Sequence, residues 1–198
     1  MRYDLQVIAS WIEPGERVLD LGCGEGELLL ALKAKGAAGT GIEIREAKIV
    51  LCIAKGLSVV HGDINEEIRD YPDQAFDCVV LSQTLMQVYE PARLIREMLR
   101  VGRRAIVSFP NFAHVGNRWQ FALSGQAPKS TALPYEWHDT PNIRVITIRD
   151  FRAFCASLGV RVLRETNIMS DYHADRGRVV RVLPNLLATY GIFMLGAG

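Results

Sequence analysis

A chain of 198 residues is long enough to fill one core and too short for two ordinary domains. Its 23 basic and 22 acidic side chains leave a net charge of +1, so no electrostatic footprint marks a nucleic acid or other polyanion as a partner. Cys23, Cys52, Cys78 and Cys155 stand apart without a C-x-x-C pair, which argues against a zinc knuckle, a redox dithiol or a disulfide framework and for reduced, mostly buried thiols.

The opening MRYDLQVIASWIEPG carries charge throughout and has no apolar leader core, so neither a secretory signal nor a membrane anchor is expected and the protein reads as cytoplasmic. A helix is predicted from about Tyr3 to Ile12, stopping before Pro14-Gly15. Arg17 to Gly22 reads as a first strand, and Glu27 to Lys35 as a helix ended by Gly36. GTGIEI gives a second strand, Glu46 to Lys55 a second crossover helix, and LSVVHGD a third strand ending at Asp63. FDCVVLSQT is a fourth strand, Pro91 opens a helix to about Arg100, and RRAIVSF is a fifth strand. The rhythm then breaks across 110–146, a stretch rich in Pro, Gly, Asn and aromatic residues that reads as a lid or a partner-docking insertion. Thr147 is placed to cap a helix through Leu158, and VRVLRE makes a sixth strand. Ser170 to Arg178 reads as an exposed and mobile loop. The apolar NLLATYGIFMLGAG is too short to cross a bilayer and reads as a buried terminal strand. Alternating strands and helices predict a single α/β domain built on a mostly parallel sheet with helices on both faces.

The first strand ends in Asp20 and turns through Gly22, Gly24 and Gly26 into a helix. That arrangement places a glycine turn and a positive helix end at the crevice where open α/β sheets bind ligands. The third glycine arrives one position earlier than in G-x-G-x-x-G, and Glu27 occupies the place that a dinucleotide fingerprint keeps small. The neighbouring charges discriminate further. Asp20, Glu25, Glu43 and Asp63 fall at or just past strand ends on one rim, where a diphosphate meets repulsion and an ammonium, a sulfonium and a ribose diol find acceptors. S-adenosylmethionine carries those three groups. Glu43, 23 residues beyond Asp20, is assigned to the ribose hydroxyls with Ile44 beside it. Asp63 and the amide of Ile64 are assigned to the adenine edge, and Gln83 to closing over the methionine moiety. The competing readings are a tight strand–helix connection at the glycines, solvated strand-end acids at Glu43 and Asp63, and a helix cap at Gln83.

With those residues placed, DLGCGEG, GIEI and GDI resemble the class I S-adenosylmethionine-dependent methyltransferases, a Rossmann-like superfamily. LSQTLMQV, EMLRVGRRAIVSFPNF, LPYEWHDTPNI and TIRDF, together with WIEPGERVLDLGCGEGELL, resemble the MetW family of methionine biosynthesis over nearly the whole chain. The resemblance implies a bacterial cytoplasmic protein that associates with the homoserine O-acyltransferase MetX and supports its activity. It names no methyl acceptor. Arg45 departs from the superfamily pattern, in which a small or acidic residue more often follows the ribose acid.

Methyl transfer from a sulfonium demands alignment and exclusion of water rather than a fixed triad. Candidates for an acceptor site lie in the insertion: Asn111, Tyr135, Glu136, His138 and Asp139, with His138 the one natural base near neutral pH. The plainer expectation is that Trp119, Phe121, Tyr135 and Trp137 pack the insertion onto the body and that His138 beside Asp139 makes a turn hydrogen bond. Arg118, Lys129, Arg144 and Arg149 give the insertion a basic margin. The four histidines show no ligand spacing, and no metal site is expected. The readings in play are a cofactor-binding partner of an acyltransferase, a methyltransferase for a small acceptor, and, less favoured, a dinucleotide-dependent oxidoreductase.

Overall fold

The structure is a computed structural model, in which residues 1–171 and 173–198 are described. In chain order its elements are α1 (Tyr3–Ser10), β1 (Arg17–Leu21), α2 (Glu27–Lys35), β2 (Ala38–Glu43), α3 (Glu46–Ala54), β3 (Ser58–His61), α4 (Ile64–Glu67), β4 (Phe76–Ser82), α5 (Pro91–Val101), β5 (Gly102–Pro110), α6 (Val115–Ser124), α7 (Ile148–Ser157), β6 (Arg161–Met169), β7 (Arg178–Val179), α8 (Pro184–Leu187) and β8 (Tyr190–Gly196). The strands form one eight-stranded sheet in the order β3-β2-β1-β4-β5-β8-β6-β7. β1 to β5 pair in parallel, whereas β8 runs antiparallel to both β5 and β6. The chain therefore winds outward from β1 to β3 and restarts on the other side at β4. That reversal is the topological switch point at which such sheets bind ligands.

Strand alternation distributes the core. Leu19, Leu21, Val79, Leu81, Val107 and Phe109 belong to the cluster shared with α5 and α7. Val18, Val80, Ile106 and Ile192 belong to the cluster shared with α1 and α2. One step further toward the carboxyl ends, the second face turns polar: Asp20 follows Val18, Ser82 follows Val80 and Ser108 follows Ile106. Asp20 and Ser108 are buried, so they need polar partners from whatever packs above them. α1 is that element.

Local signals explain the element ends. Gly36 closes α2 in the left-handed region at φ 85°, as a helix C-terminus favours. Thr147 caps α7, its hydroxyl accepting from the Asp150 amide at 3.1 Å. β6 continues to Met169, beyond the predicted six residues, because β8 pairs along it from Arg161 to Ile168. The insertion holds a helix, α6, which its glycine, asparagine and aromatic content concealed. The loop from Ser170 to Arg178 is described except for Tyr172. It is largely exposed yet fastened to α1, for the Tyr3 amide donates to Ala174 O at 2.8 Å and Gln6 Nε2 donates to Asp175 O at 2.7 Å.

Candidate functional site

A crevice of about 710 Å³ opens at the carboxyl ends of β1, β2, β3 and β4, and eight residues expected to bind the cofactor, Asp20, Gly22, Gly24, Glu43, Ile44, Asp63, Ile64 and Gln83, lie on its wall. Glu43, at the end of β2, is buried. Its Oε2 accepts from the Gly24 amide at 2.9 Å, and its Oε1 accepts from the Ile44 and Arg45 amides at 3.0 and 2.9 Å. One carboxylate thus ties the glycine turn to the strand beside it while lining the crevice.

The glycine turn is braced further. The Gly22 and Cys23 amides donate to Ile42 O at 2.8 and 3.1 Å. With three consecutive amides engaged by β2 and its terminal acid, the turn presents glycine Cα surface to a ligand rather than an amide nest of the kind that cradles phosphate. Gly22, Gly24 and Gly26 all sit at positive φ, at 73°, 60° and 75°, where L side chains are strained. At Gly26 a Cβ would also come within 2.4 Å of Leu57 Cδ1. Beneath the turn, Cys23, Leu29, Cys52 and Leu57 form a small apolar cluster. Burial raises the Cys23 thiol above its ordinary range, and Asp20 adds to the effect. It is a packing group rather than a nucleophile.

Asp20 lies deeper, and burial pushes its carboxyl up to about 7, with Arg2 opposing and Glu43 reinforcing the rise. Around it stands a network of which the sequence reading named only Gln83. Arg2 donates through Nε and Nη2 to the two oxygens of Asp4 at 3.1 and 3.2 Å, and through Nη2 to Ser82 Oγ at 3.2 Å. Gln83 Nε2 donates to Asp4 Oδ2 at 2.8 Å, while Ser82 and Ser108 share a hydrogen bond at 3.1 Å. Gln83 adopts φ 54°, a left-handed conformation uncommon outside glycine, held by its amide donating to Ser108 O at 2.8 Å. Strand alternation was the available signal. It leaves acid and hydroxyl groups facing the start of α1, where Arg2 at the N-cap and Asp4 in the first turn stand. Lys48 also reaches the crevice, its Nζ 3.7 Å from where a Cβ on Gly24 would lie.

At the rim, Asp63 Oδ1 accepts from the backbone and side-chain amides of Asn65, both at 2.8 Å. It therefore caps α4 as well as lining the crevice. Arg45 pairs with Glu43 at 3.7 Å. The far wall comes from the insertion, through Ala132, Pro134, Tyr135, Pro141 and Asn142.

Four of the five acceptor-site candidates stand off the crevice wall. Asn111 is buried off the crevice wall: its Nδ2 donates to Asn185 O and Ala188 O at 3.1 and 2.8 Å, and its Oδ1 accepts from the Ala113 amide at 3.2 Å. It is a structural clasp. His138 also lies off the wall, edge-on to Trp137 at 5.4 Å. Tyr135 alone of the five lines the crevice. The Asp139 carboxylate accepts from the Glu136 amide at 2.9 Å, and Glu136 pairs with Lys129 at 2.5 Å. The basic margin is largely internal stitching, since Arg118 Nε donates to Ala113 O at 2.7 Å and Arg144 Nε to Val88 O at 2.8 Å. The expected inward packing of the aromatic residues is overturned: Trp119 and Phe121 are exposed on α6, which buries only Asn117, and Tyr135 and Trp137 are exposed further along the insertion.

This sheet order, with its glycine turn at the end of β1, is the Rossmann-like fold of the class I S-adenosylmethionine-dependent methyltransferases. A SAM-dependent methyltransferase from Archaeoglobus fulgidus matches it with a TM-score of 0.71 at 18% identity, over 96% of this chain and 90% of that one. The family model described as methionine biosynthesis protein MetW matches residues 2–195, and the chain belongs to that family. The bifunctional methionine biosynthesis protein MetXA/MetW of Rhodopirellula baltica is 37% identical over 175 residues, 83% of this chain and 28% of that protein. A ubiquinone biosynthesis O-methyltransferase of Pseudomonas syringae is 30% identical over 143 residues, 66% of this chain and 61% of that enzyme. The chain thus spans less than two thirds of the length of either relative. Among the described residues, no helix is long and apolar enough to cross a membrane.

Proposed function

We propose that the crevice binds S-adenosylmethionine and that the protein acts in methionine biosynthesis beside a MetX-type homoserine O-acyltransferase, supporting its activity. The observation that carries the cofactor assignment is the crevice chemistry. Carboxylates stand in the last residues of β1 and β2 and just past β3, one of them is buried without full charge compensation, and three amides of the glycine turn are already engaged and so form no nest for a diphosphate. Such a site favours a cation with a ribose. Asp20 takes the charged end of the ligand, Glu43 the ribose hydroxyls, and Asp63 with the Ile64 amide the adenine edge. Gln83 bounds the methionine end, held by Asp4. The ligand supplies, when bound, a methyl group activated by positive sulfur. The partner assignment is supported by the relative in which MetXA and MetW are joined in one polypeptide.

Calorimetry with S-adenosylmethionine, S-adenosylhomocysteine and NAD in parallel tests the cofactor, and heat from NAD alone removes it. Acylation of homoserine by a purified acyltransferase, assayed with and without this protein and S-adenosylmethionine, tests the partnership. No complex and no rate change removes it. A second reading, methyl transfer to a small acceptor, is favoured by the crevice reaching past the strand ends to Pro134, Tyr135 and Asn142. Production of S-adenosylhomocysteine in the presence of a candidate acceptor is its measure.

A further inference from the structure

The insertion carries an apolar surface that the crevice does not use. Trp119, Phe121 and Leu123 on α6 are 61%, 59% and 80% exposed, and Trp137 further along the insertion is 79% exposed. Single exposed apolar residues are ordinary; Trp119 and Leu123, one turn apart on the same helix with Phe121 exposed between them, mark an interaction surface. Trp119 and Leu123 share one face of the helix at i, i+4 spacing, and Phe121 lies on the opposite face. Both flanks of the last turns are therefore apolar and in water. A ten-residue helix is below the length that holds by itself in solution, and its apolar residues ordinarily turn inward.

α6 is nevertheless fixed to the body at its first turn. His114 caps it by accepting from the Gly116 amide at 3.2 Å, Asn117 Nδ2 donates to Phe112 O at 3.0 Å, and Arg118 Nε donates to Ala113 O. From its far half, Gln120 Oε1 accepts from the Lys129 amide at 3.1 Å. The element is anchored at its base and bare at its tip, a pre-organised form that lowers the ordering cost of association.

Resting on the partnership proposed above, we propose that α6 and Trp137 are the docking element for the acyltransferase, the helix tip entering an apolar groove on that enzyme. The joined MetXA/MetW relative argues for this occupant. A covalent link holds the two surfaces at high effective concentration, an arrangement that serves units made to meet. Tryptophan is the residue type most enriched among those that dominate binding at interfaces.

The test uses the intact chain and a purified homoserine O-acyltransferase, unlinked, with affinity read by calorimetry. The wild type forms a complex, and Trp119→Ala with Leu123→Ala weakens it by about thirtyfold or more. Thermal midpoint and S-adenosylmethionine affinity stay unchanged in that variant. Ile53→Ala, on the exposed side of α3, leaves the complex intact. Joining the double variant to the acyltransferase through a flexible linker restores acylation. Equal affinity of wild type and double variant overturns the docking assignment while leaving the partnership standing. A fall in thermal midpoint overturns it as well, since the residues then support the fold. So does a self-associated wild type that the two substitutions make monomeric, for the occupant is then a second copy. If the wild type itself binds no acyltransferase, the partnership fails and takes the docking assignment with it.

Discussion

At the residue scale, Asp20 and Glu43 govern the crevice in different ways. Burial raises the Asp20 carboxyl from 3.8 to about 7, so between those values the folded chain holds a proton that the unfolded chain has released. Folding stability consequently falls as pH rises from about 4 to about 7, by on the order of 4 kcal/mol, and then levels. Asp20→Asn removes that slope from a series of thermal midpoints. Binding has the opposite sign. A cationic ligand favours the ionised acid, so S-adenosylmethionine affinity rises as pH climbs through 7, and Arg2→Gln, which deletes the opposing charge, moves the midpoint of that rise upward. Calorimetric titrations from pH 6 to 8.5 read both effects. Glu43 accepts three backbone amides besides its assigned ribose contact. Glu43→Ala is therefore expected to weaken S-adenosylmethionine about tenfold or more and also to lower folding stability by about 2 kcal/mol. Unchanged affinity in a folded variant means the ribose assignment is wrong.

At the scale of elements, the glycine turn tolerates little. Gly26→Ala places a Cβ against Leu57 Cδ1 and Cys52 Sγ at a left-handed backbone position, an expected loss of about 2 kcal/mol or more, read in denaturant unfolding. Thr147→Ala, which strips the cap from α7, is expected to cost about 1 kcal/mol and so lower the thermal midpoint by about 2–4 °C. These elements were legible because their signals are local: the glycine at the end of α2, the threonine before α7, the valine-rich parallel strands. The eight crevice residues were legible for the same reason, since a strand end fixes which rim a side chain reaches. The Arg2–Asp4 network was not, because nothing near position 2 reveals that its helix will cover Asp20, Ser82 and Ser108. Asn111 misled because leaving β5 beside the crevice does not say which way an asparagine turns. The inward packing expected of Trp119 and Trp137 followed residue type, which is silent about whether the body or another protein takes an aromatic ring.

For the whole molecule, ligand binding and stability are one measurement. S-adenosylmethionine at a hundred times its Kd should stabilise the fold by about 2.7 kcal/mol, a rise in thermal midpoint of roughly 5–10 °C, with no such rise from NAD. β8 has a different consequence. Tyr190–Gly196 lies between β5 and β6, so one half of the sheet has no continuous ladder until that segment is threaded into place. During synthesis, the nascent chain emerges with β1 to β5 ready to assemble and β5 presenting a naked backbone edge until residues 190–196, about eighty positions further along, have followed. A truncation before Tyr190 freezes that waiting state. Such a chain is expected to pellet on expression and to be held by chaperones, making β8 the keystone of a half-built arch.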